Sequence, residues 1–149
     1  MSDQELIHRI ALAMLKGIGP VNARNLVAYC GGVDPIFTDR KLKNTLEKVP
    51  GIGAKLITSI TDKAVLPTAE KELAYVRKHK LRIHFYLDAD YPRRLKQAED
   101  APVLLYVDGA TDLDAEHMVS IVGTRTPTEQ GKRLCTELVE GLKECHATI

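Results

Sequence analysis

Four adjacent residues, Gly123-Thr124-Arg125-Thr126, put two hydroxyls, a guanidinium fork and an unhindered backbone turn side by side. An apolar run, Met118 to Val122, leads into them, and an amphipathic stretch follows. Amides at the start of a helix, threonine hydroxyls and an arginine fork together form a donor set suited to a phosphate oxygen cluster. The spacing departs from G-x-G-x-x-G, because Arg125 stands where the second glycine belongs. It also departs from a Walker A loop: Gly131-Lys132 is present, but Thr126 occupies the place five before Gly131 that needs glycine. Dinucleotide binding of the common kind and NTP hydrolysis both lose ground. Two readings stay open from the local spacing: an anion site, or a well-capped helix after a strand with Arg125 merely solvated.

A second phrase is written twice. Gly17-Ile18-Gly19 and Gly51-Ile52-Gly53 lie 34 residues apart, each between two helix-like stretches. A Gly-apolar-Gly turn between helices lets several amides face outward together, at the start of the next helix, as phosphate-binding turns do. Duplication suggests a unit that grips a nucleic-acid backbone without reading bases; plain helix–helix scaffolding is the plainer role. Lys16 and Lys55 are the cations placed to assist, and Arg24, early in a helix, opposes the helix dipole unless an anion lies near. Arg93 and Arg94, after Tyr91-Pro92, form another pair able to bracket a backbone phosphate.

These residues need elements to hold them. Apolar spacing predicts a helix capped by Asp3, a second opened by Pro20 and stopped at Gly31-Gly32, and a short third from Asp34-Pro35. A fourth is predicted over Lys41–Lys48, and a fifth from Gly53 to about Ala64. A solvated helix, Thr68 to His79, then gives way to β-type runs at 82–87 and 103–107. Met118 to Val122 reads as a strand buried on both faces, and Thr126, Pro127 and Glu129 as the capping box of the helix that follows. That helix carries Leu134, Leu138, Val139, Leu142 and Cys145 as one stripe, and Ala147-Thr148-Ile149 reads as the start of another strand. The expected fold class is thus α+β in two parts. An all-α tandem helix-hairpin-helix domain over 1–65 precedes the opening of an α/β doubly wound domain, cut short, over 66–149.

Bulk properties narrow the function. The 149 residues are 44% hydrophobic and 28% charged, as in globular proteins that need no membrane partner, and no apolar run approaches a membrane span. A formal net charge of +1 argues against a strongly basic nucleic-acid clamp. Cys30, Cys135 and Cys145 form no C-x-x-C pair and read as reduced, partly buried thiols of a cytoplasmic protein. The five histidines stand at no metal-ligand spacing. No nucleophile–base arrangement is legible either, so neither catalytic residues nor a metal or cofactor site is expected. With aromatics at 5% and no tryptophan, Tyr86 and Tyr106 read as core or half-buried residues.

Three phrases in order carry a family resemblance: Asp90-Tyr91-Pro92-Arg93-Arg94-Leu95; Asp100-Ala101-Pro102 through Asp108-Gly109; and Ser120-Ile121-Val122-Gly123-Thr124-Arg125-Thr126-Pro127-Thr128-Glu129-Gln130-Gly131. The chain resembles the DNA processing protein A family (DprA, also called Smf), whose N-terminal SAM-like domain matches the hairpin segment. The resemblance implies a bacterial cytoplasmic protein that binds incoming single-stranded DNA, protects it and loads the RecA recombinase during natural transformation. It further implies an extended Rossmann-like domain with the main DNA groove and homodimer contacts, and a phosphate pocket at Gly123, Thr124 and Arg125. The family's next motif, S-G-x-A-x-G-I-D, falls beyond Ile149. A small residue is usual four places after the second hairpin glycine; Ala23 fits, whereas Ile57 suggests looser packing. Two other classes remain: a nucleotide phosphoribohydrolase-like enzyme with its catalytic residues beyond Ile149, and a module whose α domain docks a protein.

Overall fold

The computed structural model describes residues 2–39, 42–61, 64–110 and 112–149. Two compact units divide between residues 110 and 111. The boundary expected after residue 65 falls inside the first of them.

The first unit opens with five helices: α1 (Asp3–Met14), α2 (Pro20–Cys30), α3 (Asp34–Thr38), α4 (Leu42–Leu46) and α5 (Ala54–Thr61). Its first cap is Ser2, whose hydroxyl accepts from the Glu5 amide at 3.2 Å; Asp3 is already helical. Each Gly-Ile-Gly phrase makes the same turn. Ile18 N–H donates to Leu15 O and Ile52 N–H to Val49 O, both at 3.2 Å. Gly17 and Gly51 both sit at φ 79, a left-handed conformation that side chains resist. A methyl on Gly17 would stand 3.0 Å from Leu56 Cδ2, and one on Gly51 2.9 Å from Asn22 Oδ1. Asn22 and Leu56 hold the same place in each phrase, five residues after the first glycine. The two hairpins therefore pack on one another by a local two-fold relation. Ile57 is 7% exposed and Ala23 2%, so the larger side chain is taken into the core as the smaller one is.

Helix α6 (Val65–Lys78) begins earlier than expected and packs along α1, with Ala69, Leu73 and Val76 buried. Strands β1 (Arg82–Phe85) and β2 (Leu104–Val107) pair antiparallel, Arg82 opposite Val107 and Phe85 opposite Leu104, with the short α7 (Arg93–Lys96) between them. Two arginines fasten this β hairpin to the helices. Arg9 donates to both Asp88 oxygens, at 2.8 and 2.9 Å, and to Glu5 Oε1 at 2.8 Å, while lying 4.7 Å from the centre of the fully buried Phe85 ring. Arg24 donates to the carbonyls of Ala98, Glu99 and Ala101 at 3.2, 2.7 and 3.0 Å. Carbonyl oxygens thus supply the negative partner that its place in α2 calls for. Tyr91, 1% exposed, anchors the same loop by donating to Pro102 O at 2.6 Å. His8 is buried against the Phe37 ring and reaches Asp34 Oδ1 at 2.6 Å, a structural role.

The second unit holds α8 (Glu129–Leu142) and a 3-10 turn, Lys143–Cys145. The strand expected over 118–122 does not form. One parallel bridge joins Met118 to Thr148, with Val119 N–H to Thr148 O at 2.8 Å and Thr148 N–H to His117 O at 2.9 Å. Ile121 and Val122 are 39% and 93% exposed. A run destined for burial on both faces extends as a strand only where neighbours pair with its amides and cover its side chains. Beyond Val119 the described residues supply neither. The apolar stripe of α8 is present but open, with Leu134 and Leu138 about half exposed. The thiols differ from expectation too: Cys135 and Cys145 are exposed, while Cys30 is half-buried, its thiol held above its ordinary range by burial and by nearby Asp39.

Candidate phosphate-binding turn

Threonine chemistry shapes the approach to α8. Thr126 N–H donates to Thr124 Oγ1 at 3.3 Å, and the two hydroxyls lie 3.5 Å apart. This local side-chain turn occupies Thr126, so it does not cap the helix. The cap is Thr128, in extended conformation at φ −69, ψ 162, whose hydroxyl accepts from Gly131 N–H at 3.1 Å. The expected capping box on Thr126 is thereby displaced by two residues: Glu129 becomes the first helical residue and pairs with Lys132 Nζ at 2.7 Å. The signal for this was in the sequence, a second hydroxyl residue just after Pro127 with glycine three places on.

The turn and the helix start face one concavity of about 750 Å³. Gly123, Thr124, Thr126, Thr128 and Lys132 line it, together with apolar Val122, Cys135 and Val139 and the Glu140 carboxylate. Nothing lies within 4 Å of where a Gly123 side chain would begin, so the backbone there is open to a ligand. A helix start carries partial positive charge and unpaired amides, and an anion there gains from both. Arg125 is exposed and stands outside this lining.

The other expected contacts belong to the first unit. Lys16, Gly17, Gly19, Gly51 and Gly53 are exposed at the hairpin tips, and the space beside Gly19 and Gly53 is open. Arg93 and Arg94 are exposed on α7. The side chain of Lys55 lies outside the described residues. Among the described residues, no group of three His, Cys, Asp or Glu is placed to hold a metal ion, and no helix is long and apolar enough to cross a membrane.

Comparison with known proteins bears on residues 82–149, which match the family model of DNA recombination-mediator protein A. That span contains all three phrases read from the sequence. The chain is 28% identical over 156 aligned residues to protein Smf of a Synechocystis species, an alignment covering 100% of this chain and 38% of that protein. It is 39% identical over 57 residues to DNA processing protein DprA of Streptococcus pneumoniae, covering 38% of this chain and 20% of that relative. The chain thus spans well under half the length of the curated relatives it matches. No solved structure matches it at a significant level.

Proposed function

We propose, on the premise that residues 82–149 belong to the DNA recombination-mediator protein A family, that this protein handles single-stranded DNA without catalysing a reaction on it. The strand is held by its phosphates, without regard to base sequence, at Gly123, Thr124, Arg125 and Thr126. The observation that carries this reading is the convergence of an open glycine turn, three threonine hydroxyls and a capped helix start on one concavity. Such a set offers fixed donors to oxygens and no pattern that would discriminate bases.

The wider role follows the family. The protein protects incoming DNA in the bacterial cytoplasm, passes it to the RecA recombinase during natural transformation, and acts as a homodimer. Residues 1–65 form a SAM-like tandem helix-hairpin-helix domain, a reading supported by the reciprocal packing of the two glycine turns. Residues 66–149 contribute to an extended Rossmann-like domain; the parallel bridge between Met118 and Thr148, with α8 connecting them, supports that assignment. The hairpin tips, Lys16 among them, Arg93 and Arg94 are secondary backbone contacts.

Replacing Arg125 by Ala is expected to weaken binding of oligothymidylate and oligoadenylate alike. It should also lower the slope of log affinity against log salt by about 0.7, the value for one phosphate on a single strand. Fluorescence anisotropy across a salt series measures both. Unchanged affinity and slope would remove Arg125 from the site.

A further inference from the structure

From Tyr75 through Arg82 the chain carries four Lys or Arg residues and a histidine, with no acid, in a protein whose net charge is +1. This run closes α6 in a Schellman turn: Leu81 N–H donates to Val76 O at 3.0 Å and Lys80 N–H to Arg77 O at 3.2 Å. Such a turn needs one left-handed residue, usually glycine. Here it is Lys80, at φ 55, whereas α2 ends on Gly31 at φ 73. A long cationic side chain in a conformation it disfavours points to a use for it at that place.

Two independent features meet there. A cavity of about 270 Å³ opens beside Lys80, with Leu73, Val76 and Ile83 among its apolar walls and Arg77 and Lys80 as its cations. On the solvent side of the same helix end, Tyr75 is 53% exposed, and its ring lies 4.1 Å from that of His79, tilted by 32°. Lys78 stands one turn from Tyr75 on that face. Arg77 is held by Asp3, but both side chains are more than half exposed, and such a pair is weak enough to exchange for a phosphate.

An apolar slot, an outward aromatic ring and a row of cations match the chemistry of single-stranded nucleic acid, whose bases are free to enter the slot and stack on the ring. A duplex hides those faces. We infer that the C-terminal end of α6 is a second binding site, for single-stranded DNA. One base enters the slot walled by Leu73, Val76 and Ile83, a neighbouring base stacks on Tyr75, and Lys78 and Lys80 neutralise the phosphates between them. The inference rests on the DNA-handling reading above, and not on the turn at Gly123.

Labelled oligothymidylate and the 149-residue chain test it, with variants Lys80→Gly, Tyr75→Leu and Arg125→Ala. Lys80→Gly is expected to raise the melting temperature, because glycine relieves the left-handed strain. It should also weaken DNA binding about three- to ten-fold and lower the salt slope by about 0.7. Tyr75→Leu should weaken binding about five-fold or more with no change of salt slope. Strands carrying 5-bromodeoxyuridine should photo-crosslink to Tyr75. A stabilised Lys80→Gly variant with unchanged affinity overturns the site. So do crosslinks confined to residues 123–132, an outcome that leaves the turn at Gly123 standing. Loss in Lys80→Gly and Tyr75→Leu with none in Arg125→Ala upholds the α6 site and removes the turn. A chain that fails to bind the strand at all removes both.

Discussion

Exchanging each hairpin glycine for alanine separates the two glycines of each phrase. Gly17 and Gly51 both stand at φ 79, where a side chain meets its own backbone at a cost of about 1–2 kcal/mol. The added methyl would meet Leu56 Cδ2 at 3.0 Å or Asn22 Oδ1 at 2.9 Å. Both are the free ends of flexible side chains, so a small shift relieves the contact. Reduced freedom of the unfolded chain offsets part of the loss, by about 0.4–1 kcal/mol. The net expectation is about 1 kcal/mol lost for Gly17→Ala and for Gly51→Ala, a fall of roughly 4 °C in melting temperature for a unit of this size. Gly19 and Gly53 have neither a positive φ nor an atom within 4 Å of the new methyl. Alanine there should stay within about 0.5 kcal/mol of the parent, the entropy gain set against a poorer N-cap. Urea unfolding followed by far-UV circular dichroism reads all four through their midpoints at constant slope. Larger losses at Gly19 and Gly53 than at Gly17 and Gly51 would refute the argument from turn handedness and reciprocal packing.

Removing Arg9 as Arg9→Ala takes the guanidinium from both oxygens of Asp88, whose side chain is 21% exposed, and leaves it the Phe85 N–H at 3.1 Å on Oδ2. A loss of about 2–3 kcal/mol is expected in urea unfolding, and a value below about 0.5 would mean that the pair does not fasten α1 to β1. Partial desolvation of a side chain still 41% exposed, and then the neighbouring Glu72 carboxylate, push Tyr106 up to about 12. The folded chain therefore keeps this proton where the unfolded chain, near 10, has lost it. The associated stability is complete below pH 10 and lost as pH rises toward 12. Tyr106→Phe should flatten that decline, and an ordinary tyrosinate titration at Tyr106 would contradict it.

Where local chemistry decides, the sequence was readable. Gly17 and Gly51 announced the hairpins, Pro20 and Gly31 marked the ends of α2, and the inward faces of α6 and the pairing segments of β1 and β2 followed from periodicity. Competition between neighbours was harder to read. Ser2 and Asp3 both suit the first cap, and Thr126 and Thr128 the last; a hydroxyl already engaged by Thr124 tips the second case. Met118 to Val122 shows the other limit. Its composition specifies burial, but a strand is a property of the partners it pairs with, and a single bridge to Thr148 is all that the described residues provide. Arg24 and Arg9 found their oxygens 74 to 79 positions away, a distance at which sequence spacing carries no information. The residues of the turn at Gly123 stand out in the sequence by their types, whereas Lys80 was hidden because nothing in a run of basic residues reveals which one is left-handed.

Arg24 reads shape and ignores identity. Its three acceptors at residues 98, 99 and 101 are main-chain oxygens, so the side chains there take no part in the fastening. Positions 98 and 99, both exposed, are free to drift in composition as long as the path is kept, while buried Ala101 and the arginine that grips the segment are not. Only a planar fork spans three such oxygens; a lysine ammonium in its place would hold fewer of them and let the β hairpin slacken against the helices.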